Sequence, residues 1–257
     1  MCVIALAYQT ATFGPLLVAA NRDEYYARPT AALDFWRPEH PDVLGGRDLQ
    51  AGGSWLAIDV RGRFAAVTHI REGRARLAAR SRGELVKRFV SGNETALEFA
   101  AWLKAEHGQF APFNLLFGEI RNLLHFNSRS GMLNRVPPGI HVLSNADMNS
   151  RWFKCEQLRT KLQQQTRPPA ENDILRWLSD PTPAPVEQLP NTGVGLAMEK
   201  MLSPVFINGR DYGTRASSVL TLNARGELSF TEVSWGLGGR ESGRRRQSMR
   251  LTPNRNP

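Results

Sequence analysis

With 257 residues, 41% of them hydrophobic and 22% charged, the chain has the composition of a globular protein with a substantial core. Its two cysteines, Cys2 and Cys155, exclude a disulfide-stapled secreted scaffold, and a reducing, cytoplasmic location is expected. No apolar run approaches the ~20 residues that cross a bilayer, so no membrane span is expected.

The net charge of +9 is concentrated in two segments. Residues 71–88 hold six arginines, one lysine and two glutamates, and residues 240–257 hold six arginines and one glutamate. The second segment lacks apolar periodicity, which predicts a disordered basic tail over residues 239–257 after a single domain over residues 1–238. A nucleic-acid-binding arm is the alternative, but no aromatic residue lies between these arginines to stack a base. Nucleic acid is therefore not an expected partner.

The first third of the chain is typical of short strands joined by tight turns. Residues 2–8 and 15–20 are predicted to pair as one hairpin, and residues 54–60 and 63–68 as a second. In each hairpin, two strands run antiparallel and bring distant residues of the segment side by side.

Helices and strands then alternate in groups. Ser81, with Glu84 three residues later, predicts a capping box for a first helix, and Asn93 is expected to cap a second. Further strands are predicted at residues 114–120, 123–127, 132–136 and 140–144, helices at 150–165 and 174–178, and closing strands at 205–207, 216–222 and 227–233. Because hairpins dominate, this order predicts an α+β fold of two mainly antiparallel sheets whose outer faces are covered by helix pairs.

The residue with the clearest chemical signal is Cys2. Removal of Met1 would leave one residue with both a thiol and a free α-amine, whose pKa is about 7.7–8.0. Such an amine can act as the general base for its own thiol. The alternative is that Cys2 is an ordinary second residue with no catalytic role.

A polar segment follows the second strand of the first hairpin. It reads Asn21-Arg22-Asp23-Glu24, and the antiparallel pairing places residue 21 opposite the start of the chain. Asp23 could then accept a hydrogen bond from the α-ammonium group of Cys2, and Arg22 could hold a thiolate or a substrate carboxylate. The alternative is a solvated turn.

Several ordered motifs resemble those of the NRDE family, also called the transport and Golgi organisation protein two family. The resemblance covers about residues 1–235 and leaves the basic tail outside. The motifs are Met1-Cys2, Asn21-Arg22-Asp23-Glu24, Arg28-Pro29, Phe35-Trp36, Gly45-Gly46-Arg47-Asp48, Gly52-Gly53-Ser54-Trp55, Phe113-Asn114-Leu115-Leu116, Leu143-Ser144-Asn145 and Tyr212-Gly213-Thr214-Arg215.

The resemblance implies the fold of the N-terminal nucleophile hydrolases, a four-layer αββα sandwich. Within that superfamily the family is most similar to the cysteine amidases that cleave bile-salt or penicillin amides. By that analogy Cys2 attacks a carbonyl while its own amine carries the proton. Arg22 and Asp23 lie against Cys2, Asn145 donates to the oxyanion, and Arg215 completes a ring of charge.

One position departs from the family pattern. The family usually has Thr-Asn where this chain has Thr68-His69, so either His69 substitutes for an amide donor or the site is weakened. Asn145 also has an alternative role as a turn residue. The candidates for binding a ligand, beyond the catalytic set, are Asn21, Glu24, Trp36, Arg47, Trp55, His69 and Tyr212.

Two functions follow from these residues and from the resemblance. The first is hydrolysis of a non-peptide C–N bond in a small-molecule amide by Cys2, which requires no cofactor. The second is a non-catalytic protein that binds or moves haem, or acts in lipid or acyl-CoA metabolism, with Cys2, nearby arginines and Trp36 or Trp55 at the ligand. The five histidines show no i,i+4 pair, so no metal site is expected, and Cys155 is expected in the core.

Overall fold

Thirteen strands and five α-helices make up the computed structural model, which describes residues 2–73 and 78–252. The strands are β1 (Cys2–Thr10), β2 (Gly14–Tyr25), β3 (Thr30–Trp36), β4 (His40–Asp48), β5 (Leu56–Asp59), β6 (Arg63–His69), β7 (Phe113–Glu119), β8 (Asn122–Asn127), β9 (Met132–Arg135), β10 (Gly139–Leu143), β11 (Tyr212–Leu222), β12 (Glu227–Trp235) and β13 (Glu241–Arg250). The helices are α1 (Gly83–Ser91), α2 (Ala96–Glu106), α3 (Phe153–Gln163), α4 (Glu171–Leu178) and α5 (Leu196–Met201).

The strands form two antiparallel sheets. The six-stranded sheet has the order β10-β1-β2-β11-β12-β13, and the seven-stranded sheet runs in sequence from β3 to β9. Neighbouring strands in each sheet are antiparallel. Because β11 pairs with β2, the C-terminal part of the chain lies directly beside the N-terminal hairpin.

Alternation along the strands sorts the apolar side chains into three layers of core. Ile4 and Val18 of one sheet face Leu44 and Phe64 of the other, which makes the contact between the sheets. The alternate residues of the six-stranded sheet point to its outer face, where α3 and α4 cover them. The alternate residues of the seven-stranded sheet point to its outer face, where α1 and α2 cover them. The expected α+β fold, a four-layer αββα sandwich, is confirmed.

The C-terminal segment differs from the sequence prediction. Glu241–Arg250 is not a disordered tail but the strand β13, which pairs with β12 along nearly its whole length. Met249 packs against the core between the sheets, and Gln247 Nε2 donates to Asp34 Oδ1 at 3.3 Å. These inward-facing residues stabilise β13. Its arginines obscure the alternation of apolar and polar residues that is typical of a strand. The last residues of the predicted tail, 253–257, lie outside the described residues.

Helix starts also differ from the prediction. The expected capping box at Ser81 does not form, because Glu84 pairs with Arg80 instead. The second helix is capped by Thr95 rather than Asn93, in a capping box with Glu98. No helix among the described residues is long and apolar enough to cross a membrane.

Candidate functional site

The strand register of the first hairpin brings residues of the candidate site together. Cys2 of β1 lies directly opposite Arg22 of β2, one residue further along than the pairing predicted from the sequence, which placed residue 21 opposite the start of the chain. Ser144, just after β10, donates from Oγ to the Cys2 backbone carbonyl at 3.0 Å. The first residue of β1 is therefore held from both neighbouring strands, which fixes the direction of the Cys2 side chain.

Cys2 opens into a small polar pocket of about 130 Å³. Six of the residues singled out from the sequence line it: Cys2, Arg22, Asp23, Glu24, Trp55 and His69. Cys2 itself is half-buried, and burial raises the pKa of its thiol above the ordinary value. The thiol therefore needs a base before it can act as a nucleophile at neutral pH.

The guanidinium of Arg22 is held over an aromatic ring. It lies 4.4 Å from the centroid of the Trp55 ring, at the distance of a cation–π contact. The ring of Trp55 in turn packs against Gly46, where a side-chain Cβ would come within 2.2 Å of the ring. Glycine is required there because any larger residue would displace Trp55, and with it the surface on which Arg22 rests.

Asp23 is buried beside Cys2 and is held by the neighbouring strand. Thr214 of β11 donates from Oγ1 to Asp23 Oδ1 at 2.7 Å, and the hydroxyl of Tyr212 donates to the Asp23 backbone carbonyl at 3.0 Å. Burial raises the pKa of the Asp23 carboxyl above its ordinary value. A cation at this position would be stabilised by the carboxylate and would in turn keep the carboxyl ionised.

The far wall of the small pocket is a network of ion pairs. Arg28 donates from Nε and Nη2 to Asp48, with the shortest contact at 2.6 Å. Glu24 lies 3.8 Å from Arg28 and 3.9 Å from Arg22. The four charges compensate one another, which reduces the cost of placing them at a partly buried surface.

A second, larger cavity of about 710 Å³ adjoins the small pocket. His69 and Arg82 line both spaces, so one continuous surface runs from Cys2 into the larger cavity. The walls of the larger cavity are mostly apolar and include Ile70, Pro112, Val194, Met198, Met201 and Leu202. A buried ion pair between Arg71 and Glu199 fixes α5, which carries the two methionines, against the segment after β6.

His69 stands where the two spaces meet. Burial lowers the pKa of its imidazole well below the ordinary value, so the ring is neutral at physiological pH and keeps one N–H donor. Asn145 donates from Nδ2 to the His69 backbone carbonyl at 2.9 Å. The structure thus places Asn145 behind His69, outside the lining of both cavities, as a residue that positions the His69 segment.

Arg215 also lies outside the two cavities. The pairing of β11 with β2 shifts register between Thr214 and Ala216, so Arg215 is the extra residue of a β-bulge. Its Nη1 donates to the backbone carbonyls of Tyr25, Tyr26 and Arg28. The side chain therefore orders the loop after β2 and does not add a charge next to Cys2.

Three other sequence candidates have structural partners away from the pocket. Asn21 donates from Nδ2 to the carbonyls of Leu178 and Val205, which ties β2 to the helical layer. Trp36 is buried under α1 and donates from Nε1 to the Gly45 carbonyl. Arg47 is half-buried beside Trp36. The last candidate, Tyr212, lines the larger cavity.

Sequence reasoning missed two arginines of the site, Arg71 and Arg82. Both belong to the basic segment 71–88, whose charge was evident but had no assigned role. Clustered arginines next to a predicted nucleophile are the signal that could have found them. Among the described residues no group of three or more histidine, cysteine or acidic side chains could hold a metal ion.

Comparison with known families tests the family membership that the sequence motifs suggest. A family model described as Transport and Golgi organisation 2 matches residues 1–236. The chain belongs to this family. Transport and Golgi organization protein 2 homolog of Bos taurus is 31% identical over 238 residues, which cover 85% of this chain and 86% of the relative. The Drosophila melanogaster protein is 26% identical over 251 residues, 84% and 85% of the two chains.

Solved structures with a similar fold were also found. A Caenorhabditis elegans ortholog of N-acylethanolamine-hydrolyzing acid amidase is 15% identical, covers 86% of this chain and 92% of that chain, and has a TM-score of 0.49. A mutant conjugated bile acid hydrolase from Clostridium perfringens is 11% identical, covers 98% and 92%, and has a TM-score of 0.47. The family match ends at residue 236, before β13 begins.

Proposed function

We propose that this member of the Transport and Golgi organisation 2 family hydrolyses a non-peptide C–N bond, with Cys2 as the nucleophile. The observation that carries the proposal is the hairpin register that seats Cys2 opposite Arg22, in a pocket that also contains Asp23. A half-buried thiol at a strand end, next to a buried carboxylate and an immobilised guanidinium, is an arrangement that nucleophilic catalysis uses and that packing does not require.

The reaction would begin once Met1 has been removed. The α-amine of Cys2 accepts the thiol proton, and Sγ attacks the amide carbonyl carbon to form a tetrahedral intermediate. The resulting ammonium returns the proton to the leaving nitrogen as the C–N bond breaks, which leaves a thioester on Cys2. Water, deprotonated by the same amine, then cleaves the thioester to release the carboxylic acid and restore the thiol. Asp23 would hold the α-ammonium, because a buried carboxylate stabilises a neighbouring cation.

The oxyanion of the intermediate needs a hydrogen-bond donor aimed at the carbonyl oxygen. Asn145 donates one of its two amide N–H groups to the His69 carbonyl and does not line the small pocket, whereas His69 does. We assign the oxyanion contact to the His69 N–H, with Asn145 as the residue that positions it. Removal of one oxyanion donor costs about 10²–10³-fold in rate in known hydrolases.

The test is turnover of medium-chain N-acyl amides, followed as release of the amine. Cys2→Ala should lower kcat at least about a thousandfold, because it removes the nucleophile. Cys155→Ala is the matched control, since it removes the other thiol of the chain from the apolar helix–sheet layer, where it lines neither cavity. Equal turnover by wild-type protein and Cys2→Ala would contradict the proposal.

A second candidate, haem binding, is favoured by the lining of the larger cavity. A neutral His69 and the thioethers of Met198 and Met201 are of the kinds that ligate haem iron, and Arg82 and Arg210 could hold the propionates. Wild-type protein and His69→Ala would be titrated with micromolar haem. A Soret shift in the wild type that His69→Ala loses supports this candidate, and no Soret change in the wild type would contradict it.

A further inference from the structure

Arg82 differs from the other cations of the small pocket. Within residues 2–73 and 78–252, Arg22 and Arg28 each lie within 4 Å of a carboxylate, whereas Arg82 forms no ion pair. The one hydrogen bond of its side chain among these residues runs from Nη1 to the Pro112 carbonyl at 3.3 Å. The guanidinium has five N–H groups, so four of them have no hydrogen-bond acceptor among the described residues, and Arg82 lines both cavities.

The two spaces that meet at Arg82 differ in size and in chemistry. The larger cavity, at about 710 Å³, has mostly apolar walls that suit an acyl chain, with charged side chains such as Arg210 and Asp211 also in its lining. The small pocket, at about 130 Å³, has the volume of roughly four water molecules and a polar wall. With the scissile carbonyl at Cys2, an acyl chain in the larger cavity leaves only the small pocket for the amine part of the amide.

We infer that Arg82 is a specificity-determining residue that binds an anionic group on the amine side of the scissile bond, so that the substrates are N-acyl amino acids with an apolar acyl chain. This inference rests on the proposed function and names its substrate class. In an N-acyl α-amino acid the carboxylate carbon is two bonds from the amide nitrogen, which places the anion in the small pocket that Cys2 and Arg82 both line. Arginine suits this task because its planar fork matches a carboxylate with two parallel hydrogen bonds.

The experiment compares two amides that share an acyl chain and differ in charge, N-decanoylglycine and N-decanoylethanolamine. Equilibrium binding is measured on full-length Cys2→Ala protein, and kcat/KM is measured on protein that retains Cys2. Wild-type Arg82 should favour the glycine conjugate by about 10- to 100-fold, the range expected for a hydrogen bond to a charged group. Arg82→Gln should abolish that preference, and Arg82→Lys should restore part of it.

Arg80→Gln is the matched control, because it removes the same charge from the same segment at a side chain that pairs with Glu84 outside both cavities. It should leave the preference unchanged. If Arg80→Gln reduces the preference as much as Arg82→Gln does, net charge and not the site sets specificity, and the inference is overturned. Equal binding of the two amides by protein with Arg82 intact overturns it as well.

The two claims fail in different ways. If both amides are hydrolysed with equal kcat/KM, the proposed hydrolysis stands and the role of Arg82 is wrong. If neither amide is hydrolysed but Cys2→Ala binds the glycine conjugate more tightly and Arg82→Gln loses that difference, the anion-selective role of Arg82 stands and hydrolysis is wrong.

Discussion

The chain's two cysteines sit in opposite surroundings. Cys155 lies in the first turn of α3, 1% exposed, among apolar side chains such as Val142 and Leu158, and burial raises the pKa of its thiol to about 11. Cys2 lies at the end of a strand, half-buried in a pocket with charged neighbours. The position of a cysteine in the fold, and not its residue type, therefore decides whether its thiol packs in the core or faces a pocket where it can react.

The largest expected difference between the two regions is in alkylation. In native protein, iodoacetamide should modify Cys2 at least about 100-fold faster than Cys155, because the reagent can enter the pocket but not the helix–sheet layer. Peptide mass spectrometry of timed samples measures the two rates. In urea the two thiols should react at similar rates, and similar rates in the native protein would erase the contrast.

Asp23 provides the next test, on the Cys2 side of the comparison. Asp23→Asn keeps an oxygen for the Thr214 hydroxyl but loses the charge that stabilises the α-ammonium, so kcat for an N-acyl amide should fall about 100-fold. Glu24→Gln, which removes a carboxylate from the same pocket but one paired with arginines, should cost less than about fivefold. Equal losses in the two variants would indicate that only the total charge of the pocket matters.

Glu232, whose carboxyl is buried between the sheets, tests the free-energy cost of ionising a carboxyl away from the pocket. Burial raises the pKa of Glu232 to about 7, although the Leu33 amide and the Ser218 hydroxyl donate to it. Because the folded pKa is raised, the protonated carboxyl favours folding below the unfolded pKa of about 4.3, and this contribution is lost as pH rises to 7. Urea unfolding at pH 5 and pH 8 should show that Glu232→Gln gains about 2 kcal/mol relative to wild type at the higher pH. A pH-independent difference would contradict the shifted pKa.

The smallest effect is the stability of the two thiol sites. Cys155→Ser places a hydroxyl in an apolar layer and should lower the free energy of unfolding by about 1–2 kcal/mol. Cys2→Ser, at a half-buried polar site, should change it by less than about 0.5 kcal/mol. Urea denaturation of both variants measures the difference, and a larger loss for Cys2→Ser would reverse the assignment of structural and chemical roles.

Much of this contrast was accessible from the sequence. The predicted antiparallel hairpin placed residue 21 opposite the start of the chain, one residue from the observed pairing of Cys2 with Arg22, so the meeting of Cys2 with the Asn21–Glu24 segment followed from the pattern. The mid-helix apolar face predicted the buried position of Cys155, which is confirmed. Alternating hairpins and helix pairs likewise predicted the two sheets and their covers.

Other features depend on tertiary contacts that no local pattern encodes. The bulge at Arg215 turns its side chain toward the loop after β2, and the amide of Asn145 is engaged by a carbonyl distant in sequence. β13 reads as a basic tail because its stability comes from pairing with β12 and from Met249 packing between the sheets. Arg82 became a candidate only when the fold placed it where two cavities meet.

The most direct test of the central claim is an intact mass spectrum of native protein, taken before and within seconds of mixing with an N-acyl amide. The account predicts a mass that lacks Met1, followed by a transient increase equal to the acyl group, located on Cys2 by peptide mapping. Retention of Met1 in active protein, or an acyl adduct on any other residue, would contradict it.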